Sequence, residues 1–278
     1  MPVCRLMTGT TVWHLTADPA VAGWLALYAQ RLELSAATPE EQPARRLHLS
    51  GPIARLPAEA VPLLHFSDLE IAVLPSGGDL YARITPSDDP DIVTGQMCRV
   101  TGVIHHAMVG TGGLPLHAAL VTLKGRAYLI AASGGTGKST CHGRIPPPWE
   151  GLCDDEAQVN PRAEGFTVQP FPTWSVFWNR LPERSWPVER ALPLAAVFFL
   201  EQAERDFTEM LTPAHACARL MRAANEAAFR GIGRHLADAA TLRLRLLDNA
   251  AAMIRTVPTY RLGATLDGRF WEAMEGVL

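Results

Sequence analysis

The densest chemistry in the sequence is one run of residues, Ala132-Ser133-Gly134-Gly135-Thr136-Gly137-Lys138-Ser139-Thr140. It matches the phosphate-binding loop (P-loop) pattern at every position but the first, where alanine stands for glycine. The spacing has a physical basis. Small residues let successive backbone N–H groups close around an anionic phosphate, the lysine reaches the β- and γ-phosphates, and the next hydroxyl coordinates Mg²⁺. The pattern therefore predicts that Ser133, Gly134, Gly135, Thr136, Gly137, Lys138, Ser139 and Thr140 bind ATP, or another nucleoside triphosphate, with Mg²⁺ on Ser139. Lysine is scarce elsewhere: of 25 basic residues, only Lys124 and Lys138 are lysine.

Asp154 and Asp155 follow Lys138 by 16 and 17 residues, behind the strand-like Gly151-Leu152-Cys153. Behind a phosphate loop, an acid ending the neighbouring strand reaches Mg²⁺ or its waters, and a second acid can act as base. On a persisting strand the two aspartates point to opposite faces. Like charges side by side also raise one carboxyl toward neutral pH, which suits a base. Asp-Asp-Glu also makes a solvated turn or helix cap, but its distance behind the loop favours the functional reading.

These groups need elements to hold them. Leu116–Leu123 and Arg126–Ala132 read as strands joined by the two-residue turn Lys124-Gly125. A short helix starts at about Lys138 and must end at Pro146-Pro147-Pro148. Ala157–Asn160 and Phe166–Gln169 read as a hairpin, Val197–Glu201 as a buried strand, and residues 213–256 as two helices broken near Gly231–Gly233. A strand at Thr259–Leu262 and a helix from about Phe270 complete this half. Upstream, the stretch VCRLMTGTTVWHLTA and residues 45–50 read as strands around a helix at about Ala20–Leu34. Leu69–Pro75 and Leu80–Thr85 flank a hairpin turn, and Pro86–Pro90 caps a helix from about Asp91 to Met108.

The 278 residues suffice for one large domain or two modest ones, and 19% charged with 48% hydrophobic residues is ordinary globular composition. A net charge of −3 argues against a nucleic-acid binder. No apolar run approaches the length that spans a bilayer, so no membrane partner is expected. The start lacks the pattern of a signal peptide, and five cysteines without CxxC spacing fit reduced thiols, which predicts a cytoplasmic protein.

With these residues in view, the sequence resembles the HPr kinase/phosphorylase-like kinases. The matching residues are Leu116-His117-Ala118-Ala119, Ala131 to Thr140, Asp154-Asp155, and Gly165 with Pro170-Phe171-Pro172, within roughly residues 113–262. Inside that family the run GGTGKSTCHGRIPPPWEGLCDDEA is most similar to the HPr-kinase-related protein of the SynChlorMet gene cassette; such cassettes are associated with radical SAM enzymes and modified peptides. The resemblance implies that Lys138 and Ser139 bind phosphates and Mg²⁺, that one of Asp154 and Asp155 takes the acceptor's proton while the other helps hold metal, and that His117 sits beside that base. Alone, a histidine in an apolar strand is an ordinary buried residue. The glutamate-containing run that completes the metal site in HPr kinases has no counterpart after Pro172, so phosphorylase activity and HPr as substrate do not carry over. Arg180 and Arg184 lie in that stretch as candidate phosphate contacts.

Other groups read as structural. His105 and His106 are neighbours on a helix, diverge by about 100°, and suit surface or cap positions. Cys141 and Cys153 suit small buried hydrophobes and Trp149 a core anchor. Trp174, Trp178 and Trp186 make either a contact surface or a packed flap. The arginines along 219–245 suit the solvated faces of amphipathic helices.

The sequence thus predicts an α/β P-loop catalytic domain with a mixed central sheet over residues 106–278, preceded by a small α+β domain over 1–105. The expected activity is Mg²⁺·ATP-dependent transfer to a serine or threonine hydroxyl, with Asp155, Asp154, His117 and Lys138 as catalytic groups and Ser139 and Asp154 as metal ligands. The acceptor would be a peptide or protein in peptide maturation, and the resemblance allows a homo-oligomer. The alternatives are a non-catalytic nucleotide-binding accessory protein and a small-molecule kinase.

Overall fold

A computed structural model describes residues 3–182 and 184–278. The chain opens with an antiparallel hairpin, β1 (Cys4–Thr8) and β2 (Thr11–Ala17). Every second residue toward its core side is buried, Leu6 and Thr8 on β1 and Trp13, Leu15 and Ala17 on β2, so one face packs and the other meets water. Helix α1 (Ala22–Arg31) buries Trp24, Leu25 and Tyr28 at helical spacing.

Strands β3 (Ser35–Ala36), β4 (Arg45–Ser50), β5 (Val61–His65), β6 (Leu69–Val73) and β7 (Leu80–Ile84) complete a seven-stranded sheet in the order β3-β1-β2-β4-β7-β6-β5. β4 pairs in parallel with β2 and β7, and the other pairs are antiparallel. The hairpin expected around residues 76–79 is β6–β7. The two-residue β3 and the Pro62-bearing β5 occupy the edges, where proline's missing donor costs no ladder bond.

Helix α2 (Pro90–Val109) leads to the second sheet. It is capped by the Asp89 carboxylate, which accepts from the Asp91 N–H at 2.8 Å. The second half runs β8 (Leu114–Leu123), β9 (Arg126–Ala131), α3 (Lys138–Arg144), β10 (Glu150–Cys153), β11 (Glu156–Pro161), β12 (Phe166–Phe171) and α4 (Ser175–Trp178). It continues with β13 (Leu192–Gln202), β14 (Phe207–Met210), α5 (Pro213–Ala228), α6 (Ala239–Met253), β15 (Thr259–Ala264) and α7 (Phe270–Glu275). The β8–β9 turn places Lys124 at φ +51° and Gly125 at φ +75°, the left-handed pair a two-residue hairpin needs.

β13 pairs in parallel with β9 and β15, and the remaining pairs are antiparallel. β8 meets β9 along one edge and β10 and β11 along the other, β11 meets β12, and the start of β13 meets β12, so the pairing closes on itself through β8, β11, β12, β13 and β9. Both faces of β8 and β9 are buried. Ala118, Leu120, Leu129 and Ala131 face the core shared with α2, α5 and α6; Ala119, Val121, Tyr128 and Ile130 face the cluster of Cys141, Phe270 and Met274 from α3 and α7. Two-sided burial explains the near-continuous apolar run of these strands. The protein is mixed α/β with two mixed sheets. Among the described residues, no helix is long and apolar enough to cross a membrane.

Candidate functional site

Strand register gathers the sequence-predicted residues at one end of the second sheet. β9 and β13 pair Ala131 with Phe199, and β13 and β15 pair Gln202 with Ala264, so three parallel strands finish side by side. β8 runs against β9 with Ala118 opposite Ala131, bringing His117 to the same end. The turn after β10 arrives there too, and the Ala118 N–H donates to the Asp155 carbonyl at 3.1 Å. Ligands of α/β sheets bind outside such carboxyl ends.

The glycine-rich segment leaves β9 at this point. Gly135 at φ +78° and Gly137 at φ +114° hold conformations that side-chain-bearing residues rarely adopt. A Cβ at Gly134, Gly135 or Gly137 would meet nothing within 4 Å, so the loop surface is open. Lys138, 6% exposed, begins α3 and donates from Nζ to the Ala132 carbonyl at 2.7 Å. Burial lowers its pKa, and the nearby charges of Asp155 and Glu226 oppose that shift. Ser139 and Thr140 are exposed.

Two clefts flank the loop. One, of about 620 Å³, lies between Ser133–Thr136 and α5, which contributes Arg219, Arg222 and Glu226. The other, of about 420 Å³, lies between α3 and the ends of β13 and β15 and is lined by Thr140, Cys141, Arg144, Ala264 and Leu266.

Beside the loop runs a chain of four ionisable groups. His117 Nδ1 lies 2.5 Å from Glu226 Oε2, and Nε2 lies 3.0 Å from Asp155 Oδ1. Arg230 Nη1 donates to the other oxygen of Asp155. Burial pushes the Asp155 carboxyl up, but the bonds from His117 and Arg230 outweigh it and bring the carboxyl down to about 2. Asp154 is held apart: its Oδ1 accepts from Thr173 Oγ1 at 2.5 Å. The adjacent aspartates therefore have separate partners.

Sequence reasoning missed Glu226 and Arg230. The arginines along 219–245 read as solvated faces, and for Arg230 that is corrected. Arg230 lies on Asp155, and Arg219 borders the cleft with Nη2 3.3 Å from Glu201 Oε2. One signal was available: Glu226 is the sole acid of α5, set among the buried Ala223, Ala224, Ala227 and Ala228. His105 is also corrected. It is fully buried rather than at a surface, with Nδ1 3.2 Å from Glu156 Oε1 and its ring on Phe171, because this face of α2 packs on β11 and β12. His106 reaches the α6 cap region, 3.0 Å from Asp238.

Cys141 and Cys153 are buried as expected, their thiols pushed up to about 11 and about 12 by burial. Trp149 anchors its loop against Tyr128 and donates to Glu275 at 2.7 Å. Trp174 and Trp186 are fully buried, which favours the packed flap, while Trp178 is exposed. Arg180 is occupied by Asp91 and Arg184 lies over Trp186, and neither borders the two clefts beside the loop.

Among the described residues, no three His, Cys, Asp or Glu side chains form a metal cage. Mg²⁺ needs none, since it keeps several waters and takes one or two carboxylates with phosphate oxygens.

Residues 80–278, from β7 to the end of the chain, match the family described as SynChlorMet cassette protein ScmC. The chain belongs to this family. The ScmC match covers the loop, both aspartates, His117 and all of α5, and it begins in the first sheet rather than at α2. No curated protein matches the sequence.

Proposed function

We propose that this ScmC-family protein is a Mg²⁺·ATP-dependent kinase with an HPr-kinase-like P-loop catalytic unit over residues 106–278. It transfers a phosphoryl group to a serine or threonine hydroxyl of a peptide or protein handled by its cassette. The observation that carries the reading is the meeting of Lys138 and an open glycine loop with the His117–Asp155 pair at the end of parallel strands.

In this reading Lys138 leaves the Ala132 carbonyl for the β- and γ-phosphates, and the loop amides take the remaining phosphate oxygens. Ser139 and Asp154 would hold Mg²⁺, which would neutralise phosphate charge there. Asp155 and Arg230 stay ionised and fixed on each other, so their field needs no rearrangement as charge develops. Catalysis is positional and electrostatic. Incubation with Mg²⁺·ATP and the precursor peptide of the same cassette should give a product heavier by one phosphate. An unmodified peptide with ATP bound would favour the rival, a nucleotide-binding accessory protein, which draws support from Ala132 and the seven-residue α3.

A further inference from the structure

Asp155 is the sequence's choice of base, but its surroundings suit anchoring better than proton acceptance. Both of its carboxylate oxygens are engaged, one by His117 and one by Arg230, and it does not border the cleft between the loop and α5. Glu226 differs on each count. It borders that cleft opposite Ser133–Thr136, and only its Oε2 is bound, to His117 Nδ1. Its Oε1 has no partner among the described residues. Of the four linked groups it is also the most open, with a side chain 33% exposed against 27% for Arg230, 15% for Asp155 and 12% for His117.

The two clefts differ in the same sense. The one beside α3 offers Cys141, Ala264 and Leu266, a lining for a flat apolar base, and its one acid, Glu201, which borders both clefts, is held by Arg219 and Arg261. The one beside α5 holds the uncommitted carboxylate oxygen. The acceptor therefore belongs on the α5 side.

We infer that Glu226 is the carboxylate that orients and deprotonates the acceptor hydroxyl, with His117 and Asp155 as the positioning residues that hold it. This rests on the kinase reading above. The acceptor oxygen forms a bond to the γ-phosphorus as the bond from that phosphorus to the β,γ-bridging oxygen breaks, leaving its electron pair on ADP. The hydroxyl proton passes to Glu226 Oε1 and from there to water. With a carboxylate at each of its ring nitrogens, His117 ties Glu226 to the Asp155–Arg230 pair. Arg222, at the same cleft, lies on the acceptor's side of the loop.

The test uses the full chain with Mg²⁺·ATP, water standing in as acceptor, and compares wild type with Glu226→Gln, Glu226→Asp and Asp155→Asn. Calorimetry gives nucleotide affinity and phosphate release gives turnover. Gln can still accept from His117, so the variant keeps that bond and loses only the free carboxylate oxygen. The expected result is turnover down by at least about 100-fold in Glu226→Gln, with ATP affinity within about threefold and partial recovery in Glu226→Asp. Turnover within about threefold of wild type in Glu226→Gln, with loss in Asp155→Asn, would return the role to Asp155 and overturn the assignment. A wild type that binds ATP without hydrolysing it also overturns it, because an open carboxylate would orient water as it does an alcohol. Absence of ATP binding by wild type instead overturns the kinase reading itself.

Discussion

The two sheets bury side chains in different ways. In the first, the β1–β2 hairpin alternates, and one face stays in water. The residues it hides are apolar or neutral, and its ion pairs, such as Arg83–Glu70 and Arg46–Asp79, lie toward the surface. In the second, β8 and β9 are covered on both faces, and ionisable groups collect at one strand end: Lys138, Glu156 and His105 are buried, and Asp155 and His117 half-buried. Burying charge costs free energy unless it is paired or used. The first sheet behaves as scaffold, and the second bears that cost where its strands end beside the open loop.

The halves are nevertheless joined by a specific clamp. Glu189 binds Arg5 Nη1 at 2.5 Å and the Met7 N–H at 2.8 Å, Gln169 donates to the Met7 carbonyl at 2.9 Å, and Trp174 stacks on Tyr28. Those contacts fix the segment after β12, and Thr173 within it holds Asp154. The scaffold thus reaches the site through Thr173.

The contrast can be broken by separating stability from turnover. Leu49→Ala, in the fully buried core of the first sheet, should lower unfolding free energy by about 2–5 kcal/mol while folded protein keeps its ATP affinity. Urea unfolding alongside calorimetry reads both, and a matching loss of affinity would mean the first sheet shapes the site directly. Lys138→Ala should do the reverse, lowering turnover by about 10²–10³-fold with a small change in melting temperature.

Acid offers a finer test. The carboxyl of Asp155 lies at about 2 in the folded protein, below the ordinary aspartate value. Its contribution, about 2 kcal/mol, is therefore present above about pH 4–5 and disappears as pH falls toward 2. The stability advantage of wild type over Asp155→Asn should shrink between about pH 6 and about pH 3, and a constant advantage would deny the pairing. The smallest effect belongs to Arg190→Ala. Its exposed pair with Glu150 should be worth less than about 1 kcal/mol, measured by thermal unfolding.

Much of this was legible because local rules and tertiary structure agree. The Lys124-Gly125 turn, the β6–β7 and β11–β12 hairpins, the seven residues of α3 ahead of three prolines, and α5 and α6 around Gly231–Gly233 all follow from turn chemistry and periodicity. The meeting of His117 with Asp155 followed from the family resemblance. What stayed hidden depends on partners distant in sequence. β3 and β14 (Phe207–Met210) are short edge strands defined by what they pair with. His105 is buried because α2 sets it against Glu156 of β11 and Phe171 of β12. Glu226 and Arg230 reach the site because α5 packs across β8, and no spacing within α5 reveals which side faces the loop.

The most direct measurement is a calorimetric titration of the full chain with Mg²⁺·ATP, beside Lys138→Ala. The account predicts saturable binding to a single site in wild type and binding at least about 100-fold weaker in the variant. Equal binding by the two proteins, or none by either, would contradict it.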